Sequence, residues 1–375
     1  MQIVIASNFL NHHQLPLCHA FSAMPDVDFT FVATAPIEAE RLQMGYADMN
    51  HAYDFCLCTY ASAENEQKAL SLCRSCDVLI IGSAPNRYAR LRDKEKITFF
   101  YSERLFKEKG FSWKTIPRWV KYVLKKPLYK DAYLLCASAF AAADYAKTGN
   151  FKGRAFKWGY FPEAKYTDIA ALMQAKDGEP TRLLWVGRMI DWKHPEAAIH
   201  VAKRLKEDGY NFSLDMIGSG EMKELLQGMI REENLQEQVQ LLGAMPPKQV
   251  REHMERANIF LFTSDRGEGW GAVLNEAMNS GCAVVAADEI GAVPYLLKDG
   301  KNGLICRSED WDHLYEQVKI FLDDKDFCRI CGLAAYRTIV EIWNAKTAAA
   351  QLVDLVECLQ SGKRAAHISG PCSNA

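Results

Sequence analysis

Residues 258–288 read NIFLFTSDRGEGWGAVLNEAMNSGCAVVAAD, and this stretch decides the fold. Its apolar run from Ile259 to Thr263 is typical of a buried strand in a parallel sheet. A polar, glycine-bearing loop follows over Ser264 to Gly269, and the next residues predict a helix from about Gly271 to Asn279. A second apolar run, Ala283 to Ala287, predicts a second buried strand. This order of strand, loop, helix and strand indicates an α/β domain with a parallel sheet.

Two glutamates in this stretch are candidate ligand-binding residues. In open α/β sheets, ligands bind beyond the carboxyl ends of the strands, against helix N-termini. Glu268 lies on the loop and Glu276 is expected two turns along the helix, so both can face one crevice. An ionised carboxylate only accepts hydrogen bonds, which suits the hydroxyl groups of a sugar and a ribose. These residues alone leave open the alternative that both are solvated surface acids.

The spacing Glu268-x7-Glu276 resembles the donor-site signature of the GT4-type retaining glycosyltransferases. The other elements of that similarity are Gly269, Gly271, the run Glu276-Ala277-Met278, and Ser280-Gly281. The resemblance implies the GT-B fold, an α/β architecture of two Rossmann-like domains that face each other across a cleft. In that fold the C-terminal helix crosses back to the N-terminal domain. The similarity is strong from Arg182 to about Arg307, whereas the first half of the chain matches only in topology.

Size and composition are those of a soluble, two-domain protein. The chain has 375 residues, of which 49% are apolar and 25% are charged, with a formal net charge of −2. Such a balance does not favour nucleic-acid binding, and no apolar run approaches the roughly 20 residues of a membrane-spanning helix. The N-terminal MQIVIASNF begins directly as a strand and no signal peptide is evident. We expect a cytoplasmic protein.

The cysteines and a short acidic motif do not indicate a metal site. Twelve cysteines include the spacings Cys73-x-x-Cys76 and Cys328-x-x-Cys331, but both lie within apolar or helical patterns. Reduced thiols that pack as small hydrophobes are therefore the favoured interpretation over structural zinc. Asp26-Val-Asp28 resembles a metal-binding DxD motif of another glycosyltransferase fold, but it leads into the second strand, away from the expected cleft. We expect neither a metal nor a cofactor.

The first half of the chain predicts one Rossmann-like domain. Short apolar runs alternate there with helical patterns, which is typical of βαβ units. No GxGxxG follows the first strand, so a dinucleotide cofactor is not expected. The predicted domains are 1–165 for the acceptor, joined by a helix at about 343–360, and 166–342 for the nucleotide-sugar donor. A polar link to about Pro180 precedes the second domain, and residues 361–375 are expected to be disordered.

Three residues of the first half are candidates for contact with the reacting groups. His12 and His13 lie on the loop after the first strand, where an imidazole can orient an acceptor hydroxyl or transfer a proton. Glu103 follows the strand Ile97–Tyr101, near the place where relatives often carry a catalytic histidine. The alternatives are that only one histidine reaches the cleft and that Glu103 forms a solvated pair with Arg104.

The segment from Arg104 to Lys130 is basic and aromatic. It holds nine Lys or Arg and one acid, Glu108, interleaved with six aromatic residues. Basic residues attract anionic lipid, and aromatic residues suit the interface between headgroups and acyl chains. The segment therefore predicts peripheral contact with the inner face of the plasma membrane, where a lipid-linked acceptor would lie. The competing interpretations are nucleic-acid binding, which we do not expect, and a basic face that covers the sheet.

The loop after the strand Arg182–Val186 carries a pair of cations. Arg188 and Lys193 lie five apart in VGRMIDWKHP, and the resemblance implies that they hold the donor's diphosphate. Breaking a sugar–phosphate bond leaves negative charge on the nucleoside diphosphate, which paired cations can stabilise without a metal. The donor-binding set implied by the resemblance is Gly187, Arg188, Lys193, Gly218, Gly243, Glu268, Gly269, Trp270, Gly271 and Glu276.

The sequence thus predicts a retaining, metal-independent glycosyltransferase. It would move a sugar from a nucleotide-sugar donor to a saccharide or lipid-linked acceptor. We expect the donor to be a UDP-sugar. Glu276 would bind the ribose and Glu268 the sugar hydroxyls. Two alternatives remain open: a nucleotide-sugar epimerase of the same fold, and a catalytically silent assembly factor at the membrane.

Overall fold

The computed structural model describes residues 1–38, 47–109, 113, 115–363 and 367–375. They form two compact units: Met1–Glu163 together with Asn344–Ala375, and Ala164–Trp343. Each unit is built on a sheet whose paired strands are all parallel. The sequence predicted that the first domain ends at residue 165 and the second at residue 342.

The sheet of the first unit has seven strands in the order β3-β2-β1-β4-β5-β6-β7. The strands are β1 Gln2–Ser7, β2 Asp28–Ala33, β3 Cys56–Cys58, β4 Val78–Ile81, β5 Ile97–Ser102, β6 Tyr133–Cys136 and β7 Ala155–Lys157. Most are apolar runs because helices cover both faces of a parallel sheet. Ile3 pairs with Phe29 on one side and with Val78 on the other. The strand order therefore reverses at β1 and β4, which opens a crevice at their carboxyl ends.

The helices of the first unit are α1 Leu15–Ser22, α2 Ala63–Ser75, α3 Asn86–Arg90, α4 Thr115–Leu124, α5 Lys126–Tyr129 and α6 Ala141–Lys147. The C-terminal helix, Ala345–Gln360, packs on α1 and so belongs to this unit. It buries Ala348, Leu352 and Leu355. This is the helix that the sequence predicted to cross back to the N-terminal domain.

The sheet of the second unit has six strands in the order β10-β9-β8-β11-β12-β13. The strands are β8 Thr181–Val186, β9 Phe212–Ile217, β10 Val239–Gly243, β11 Ile259–Phe262, β12 Ala283–Ala287 and β13 Leu304–Cys306. Since β9 and β10 extend to one side of β8 and β11 to β13 extend to the other, the order reverses between β8 and β11. Loops that leave the carboxyl ends of these two strands therefore border a crevice.

The helices of the second unit are α7 Ile169–Ala175, α8 Pro195–Glu207, α9 Lys223–Glu232, α10 Pro247–Arg256, α11 Val273–Asn279, α12 Val293–Leu296, α13 Trp311–Asp323 and α14 Lys325–Arg337. In chain order, the C-terminal helix is α15. A π-helical turn, Thr338–Ile342, follows α14.

Two sequence predictions about connecting segments are wrong. The polar link before Pro180 contains α7, which is capped by the Asp168 side chain and buries Met173. Residues 370–375 of the expected disordered tail pack on the edge strand β7, where Lys157 N–H donates to the Ser373 carbonyl at 2.7 Å. Cys372 is fully buried. The tail is ordered there because it satisfies the otherwise unpaired edge of the sheet.

The cysteines are free thiols, and ten of the twelve are buried. Burial raises the pKa of Cys73 and of Cys76 to about 12, so neither is a ready thiolate ligand. They pack as small hydrophobes within the core of the first unit.

Among the described residues, no helix is long and apolar enough to cross a membrane.

Two helical glycines have opposite surroundings, which gives a matched test of packing in the second unit. A methyl group at Gly332 on α14 would overlap the carbonyl oxygen of Gly281, whereas one at Gly228 on α9 would meet nothing within 4 Å. We predict that Gly332→Ala lowers the free energy of unfolding by about 1–3 kcal/mol through overpacking. Gly228→Ala should be neutral or stabilising by up to ~1 kcal/mol, because alanine is the better helix former. Urea unfolding of both variants measures this, and equal effects would contradict the packing at Gly332.

Candidate functional site

Two loops at the reversal point of the second sheet are joined to each other. The loop after β8 runs from Gly187 to His194, and the loop after β11 begins at Thr263. The Thr263 hydroxyl donates to the Lys193 carbonyl at 2.7 Å and accepts from the Trp185 indole at 2.9 Å. Asp265 N–H donates to the Trp192 carbonyl at 3.0 Å. These bonds fix the two loops against each other and so fix the side chains that they carry.

Lys193 and Glu268 meet between these loops. The Lys193 ammonium contacts the Glu268 carboxylate directly, and the two side chains are only 13% and 12% exposed. Lys193 Nζ also lies 4.7 Å from the centroid of the Trp192 ring, and the Ser264 hydroxyl donates to Glu268 at 3.4 Å. The sequence predicted both residues for the site, and the structure brings them together.

Arg188 shares Trp192 with Lys193. Its guanidinium carbon lies 5.8 Å from the ring centroid, and its side chain is exposed. The Trp192 ring therefore lies near two cations of the same loop, of which Arg188 is exposed and Lys193 is largely buried. Their combined charge at a strand's carboxyl end is suited to an anion with several oxygens, such as a diphosphate.

The predicted glycines Gly187 and Gly218 follow β8 and β9, and the predicted Gly243 ends the neighbouring strand β10. Gly187 N–H donates to the Ile217 carbonyl at 3.0 Å, and Gly218 N–H donates to the Gly243 carbonyl at 2.9 Å. Gly218 has a φ of 143°, and a Cβ there would overlap the Gly187 carbonyl oxygen. Backbone therefore packs on backbone at this edge, which requires glycine at position 218.

Trp270 has a different role from the one the resemblance implied. Its side chain is fully buried and its indole N–H donates to the Asn275 side chain at 2.9 Å. Its ring lies 6.2 Å from that of Tyr295 and 6.1 Å from that of Trp343. The Trp270 side chain therefore supports the donor loop from the core side and does not reach a ligand. Gly269, which precedes it, is also buried.

Gly271 fixes the direction of this loop. Its φ of 90° lies in the left-handed region, and a Cβ would overlap the Phe262 ring. The close approach holds the start of α11 against the end of β11.

Glu276 lies one turn, not two, from the start of its helix, because α11 begins at Val273. Burial raises the pKa of its carboxyl group, and the nearby Arg251 guanidinium opposes that shift. The Arg251 side chain also hydrogen-bonds to Asn279 on the same helix. Glu276 is thus poised to accept a hydrogen bond at a cost in burial that a ligand hydroxyl would offset.

The first unit has a cavity of about 510 Å³ at the carboxyl ends of its strands. Ser7, Ile81 and Ser102, the last residues of β1, β4 and β5, line it. The side chains that give the lining its polar character include Asn11, Gln14, Asn86, Glu103, Lys125 and Tyr160. The cavity occupies the reversal point of this sheet, which is where such folds bind ligands.

Glu103 is held in this cavity by two donors. The Tyr160 hydroxyl donates to one carboxylate oxygen at 2.8 Å, and the Lys107 ammonium donates to the other at 3.0 Å. The predicted partner Arg104 instead lies 3.9 Å from Asp144 in the interior. Glu103 therefore lines the cavity and is paired with Lys107 and Tyr160, not with Arg104.

The two histidines of the first loop lie next to the cavity. Their ring centroids are 3.7 Å apart, and the His13 ring stacks on Tyr160 at 6.0 Å. Among the described lining residues, the first loop contributes the amides of Asn8, Asn11 and Gln14, and neither His12 nor His13. Sequence reasoning missed these three amides, although their place in the same loop was a usable signal.

His194 was also missed by sequence reasoning, although it directly follows Lys193. Its Nδ1 lies 3.1 Å from Glu196, and its Nε2 lies 3.5 Å from Asp265 and 3.9 Å from Glu309. Ligand atoms of His194, Asp265 and Glu309 all lie within 4.8 Å of one another, a spacing that could hold a metal ion. Asp265 and Glu196, however, raise the pKa of His194 to about 10. The surrounding carboxylates therefore favour the charged form of the imidazole.

Comparison with known proteins identifies relatives of the second unit. The family described as Glycosyl transferases group 1 matches residues 173–338. The amylovoran biosynthesis glycosyltransferase AmsK of Erwinia amylovora is 28% identical over 187 residues, which cover 48% of this chain and 46% of that protein. A Campylobacter jejuni N-acetylgalactosaminyltransferase, named for an N-acetylgalactosamine-N,N'-diacetylbacillosaminyl-diphospho-undecaprenol substrate, is 32% identical over 142 residues, which cover 38% of this chain and 37% of that protein. The matches thus span about half the length of these relatives or less.

Solved structures share the fold of the whole chain. Anabaena Alr3699/HepE in complex with UDP has a TM-score of 0.68 at 15% identity over 96% of this chain and 100% of that one. A glycosyltransferase from Rickettsia africae has a TM-score of 0.69 at 12% identity, over 95% of this chain and 97% of that one. The GT-B fold class, with two Rossmann-like domains, is confirmed.

Burial of Glu276 predicts a pH-dependent stability difference. Because its pKa is raised in the folded state, the charged carboxylate costs stability at neutral pH, and the cost vanishes below the unfolded value of about 4.3. Glu276→Gln should therefore raise the melting temperature at pH 7, with a gain that shrinks as the pH falls through the carboxyl titration. Calorimetry at several pH values measures this, with exposed Glu237→Gln as the control. Equal melting temperatures for Glu276→Gln and the unmodified chain at pH 7 would contradict it.

Proposed function

We propose that the chain transfers a sugar from a nucleotide-sugar to an acceptor hydroxyl, a proposal supported by the match of residues 173–338 to the family described as Glycosyl transferases group 1. We further propose that the donor is a UDP-sugar, that the anomeric configuration is retained and that no metal is needed. The HepE structures contain UDP or UDP-glucose, which supports the choice of nucleotide.

The observation that carries this proposal is the cation pair on Trp192. Arg188 and Lys193 lie on the loop at the reversal point of the sheet, where the backbones of Gly187 and Gly218 pack on each other. When the sugar–phosphate bond breaks, negative charge develops on the departing diphosphate. Fixed cations in a partly desolvated site stabilise that charge without reorganising. The two cations therefore take the role that a metal plays elsewhere.

The glutamates complete the donor site in this proposal. Glu268 accepts hydrogen bonds from the sugar hydroxyls while Lys193 balances its charge, and Glu276 accepts from the ribose. The acceptor hydroxyl attacks the anomeric carbon from the face that the diphosphate leaves, and a phosphate oxygen takes its proton. This route keeps the configuration and needs no protein nucleophile.

Removing the charges of the donor site should cost transfer. We predict that Arg188→Ala, Lys193→Ala and Glu268→Ala each lower kcat/KM. The loss should correspond to a rise of about 2–4 kcal/mol in the activation free energy, as loss of a fixed oxyanion donor does. Lys203→Ala is the matched control, because it removes a lysine of α8 that pairs with Glu233 on the surface. Product formation from a radiolabelled nucleotide-sugar measures the effect. Near-normal turnover in all three variants would contradict the site.

The cavity of the first unit is the proposed acceptor site. Amide, hydroxyl and carboxylate groups of Asn11, Gln14, Glu103 and Tyr160 suit the hydroxyls of a saccharide. Lys125 adds a cation to the lining, and burial together with Lys121 lowers its pKa. A saccharide joined to a lipid phosphate would offer hydroxyls to the polar groups and a negative charge to Lys125. The printed substrate of the Campylobacter relative is of that kind.

The helix α4 is the proposed membrane contact. Ile116, Val120 and Leu124 lie on one stripe and are 41%, 40% and 74% exposed, and no described residue of α4 is buried. Basic side chains flank this stripe, which is typical of a helix that lies in a lipid interface. Tyr122 of the same helix lines the cavity, so the helix connects a lipid surface to the acceptor site. Residues 110–112 and 114 of the predicted membrane segment lie outside the described residues.

Charge placed on that stripe should abolish lipid binding. We predict that Ile116→Glu with Leu124→Glu prevents sedimentation with anionic liposomes, because the carboxylates must be desolvated in the interface. Leu225→Glu, at an exposed leucine of the second unit, is the matched control and should leave binding intact. Absence of binding by the unmodified chain, or full binding by the double variant, would remove the membrane proposal.

A further inference from the structure

We propose that His194 is a positioning residue of the nucleotide-sugar site, and that its imidazole joins the loop that carries Lys193 to the loop that carries Glu268. This inference rests on the proposed function, because it specifies what holds the diphosphate-binding cation in place. His194 touches neither the donor nor the acceptor in this account, and it acts through its neighbours.

The contacts of His194 reach three separate segments of the second unit. Nδ1 faces Glu196 in the first turn of α8 at 3.1 Å, and Nε2 faces Asp265 on the loop after β11 at 3.5 Å. Glu309, which follows β13, lies 3.9 Å from Nε2. An imidazole with carboxylates on both nitrogens is a cross-link between elements that are distant in sequence.

This cross-link runs parallel to the contact that the site depends on. His194 is bonded to Lys193 in the chain, and Asp265 precedes Glu268 by three residues and accepts a hydrogen bond from its N–H at 3.1 Å. The pairs His194–Asp265 and Lys193–Glu268 therefore join the same two loops at adjacent points. If the first pair is lost, the Lys193–Glu268 pair and the bonds from Thr263 and Asp265 N–H must hold the loops without it.

The backbone of His194 gives independent support. Its φ of 46° and ψ of 54° place it in the left-handed region, which favours glycine and is uncommon for other residues. The left-handed turn aims the side chain back between the loops while Pro195 starts α8. A strained conformation persists where the surrounding contacts determine it, and the carboxylates around the ring are such contacts.

The charge balance shows why a histidine suits this place. Asp265 and Glu196 raise the pKa of His194 to about 10, and Glu309 adds a third negative neighbour. The ring places Nδ1 within hydrogen-bond distance of Glu196 and Nε2 within ion-pair distance of Asp265, whereas asparagine at the same position offers only a neutral amide. Asparagine tolerates the left-handed backbone, so His194→Asn removes the charge without adding backbone strain.

The experiment measures the affinity of the full chain for UDP by titration calorimetry. We expect His194→Asn to weaken binding by about tenfold, within the usual range of coupling between neighbouring residues, and His194→Arg to restore most of it. His200→Asn is the matched control, since His200 lies on α8, the helix that follows His194, and pairs with Asp312 on α13. It should bind UDP as the unmodified chain does.

Two further variants test that His194 acts through its neighbours. Asp265→Asn removes the same link from the other loop, so it should weaken UDP binding similarly, and the double variant with His194→Asn should be no weaker than either. In a Lys193→Met background, His194→Asn should have no further effect. If the losses of UDP binding free energy simply add, in the double variant with Asp265→Asn or in the Lys193→Met background, the positioning role is overturned.

The outcomes separate this inference from the proposed function. If the unmodified chain binds neither UDP nor another nucleoside diphosphate, the proposed function fails and this inference fails with it. If the unmodified chain binds UDP and His194→Asn binds it equally well, only this inference is overturned. A rise in melting temperature with Zn²⁺ or Mg²⁺ that His194→Asn abolishes would also overturn it, because the ring would then be a metal ligand.

Discussion

The contact between Lys193 and Glu268 joins the two loops that carry the candidate donor site of the second unit. Both side chains are largely buried, and burial of an ion pair costs desolvation that the attraction repays only with good geometry. The geometry comes from the sheet, because the order of strands reverses between β8 and β11 and brings two loops together. Bonds through Thr263 and Asp265 then hold these loops. In the proposed function, the Lys193–Glu268 pair places a cation for the diphosphate beside a hydrogen-bond acceptor for the sugar hydroxyls.

Much of the fold could be predicted because its strands are local apolar runs. Ile259 to Phe262 and Ala283 to Ala287 are continuous and buried, as a parallel sheet requires. The parts that could not be predicted depend on distant contacts. The strand Ala155–Lys157 has three residues and exists because it pairs with β6, and the polar-looking tail is ordered because it covers that strand. Neither signal is present in a sequence window.

The candidate site also has residues that the sequence could identify and residues that it could not. Arg188, Lys193 and Glu268 could be found because their spacing is linear and matches a known signature. His194 could not, because its role arises from carboxylates on three other segments. The burial of the Trp270 ring could not be predicted either: the residue lies within the signature, but its ring packs near those of Tyr295 and Trp343, which are distant in sequence. A motif therefore identifies a loop, and packing against distant residues decides which of its side chains are buried.

The first unit adds a second binding place on the same structural principle, with Glu103 held in a polar cavity at the reversal point of its sheet. A short amphipathic helix beside it provides both lining and an exposed apolar stripe. The most direct test of the account is a crystal structure of the chain with a UDP-sugar bound. The account predicts diphosphate oxygens within hydrogen-bond distance of Lys193 Nζ and the Arg188 guanidinium, with sugar hydroxyls on Glu268. A diphosphate bound anywhere else, with Lys193 still paired only to Glu268, would contradict it.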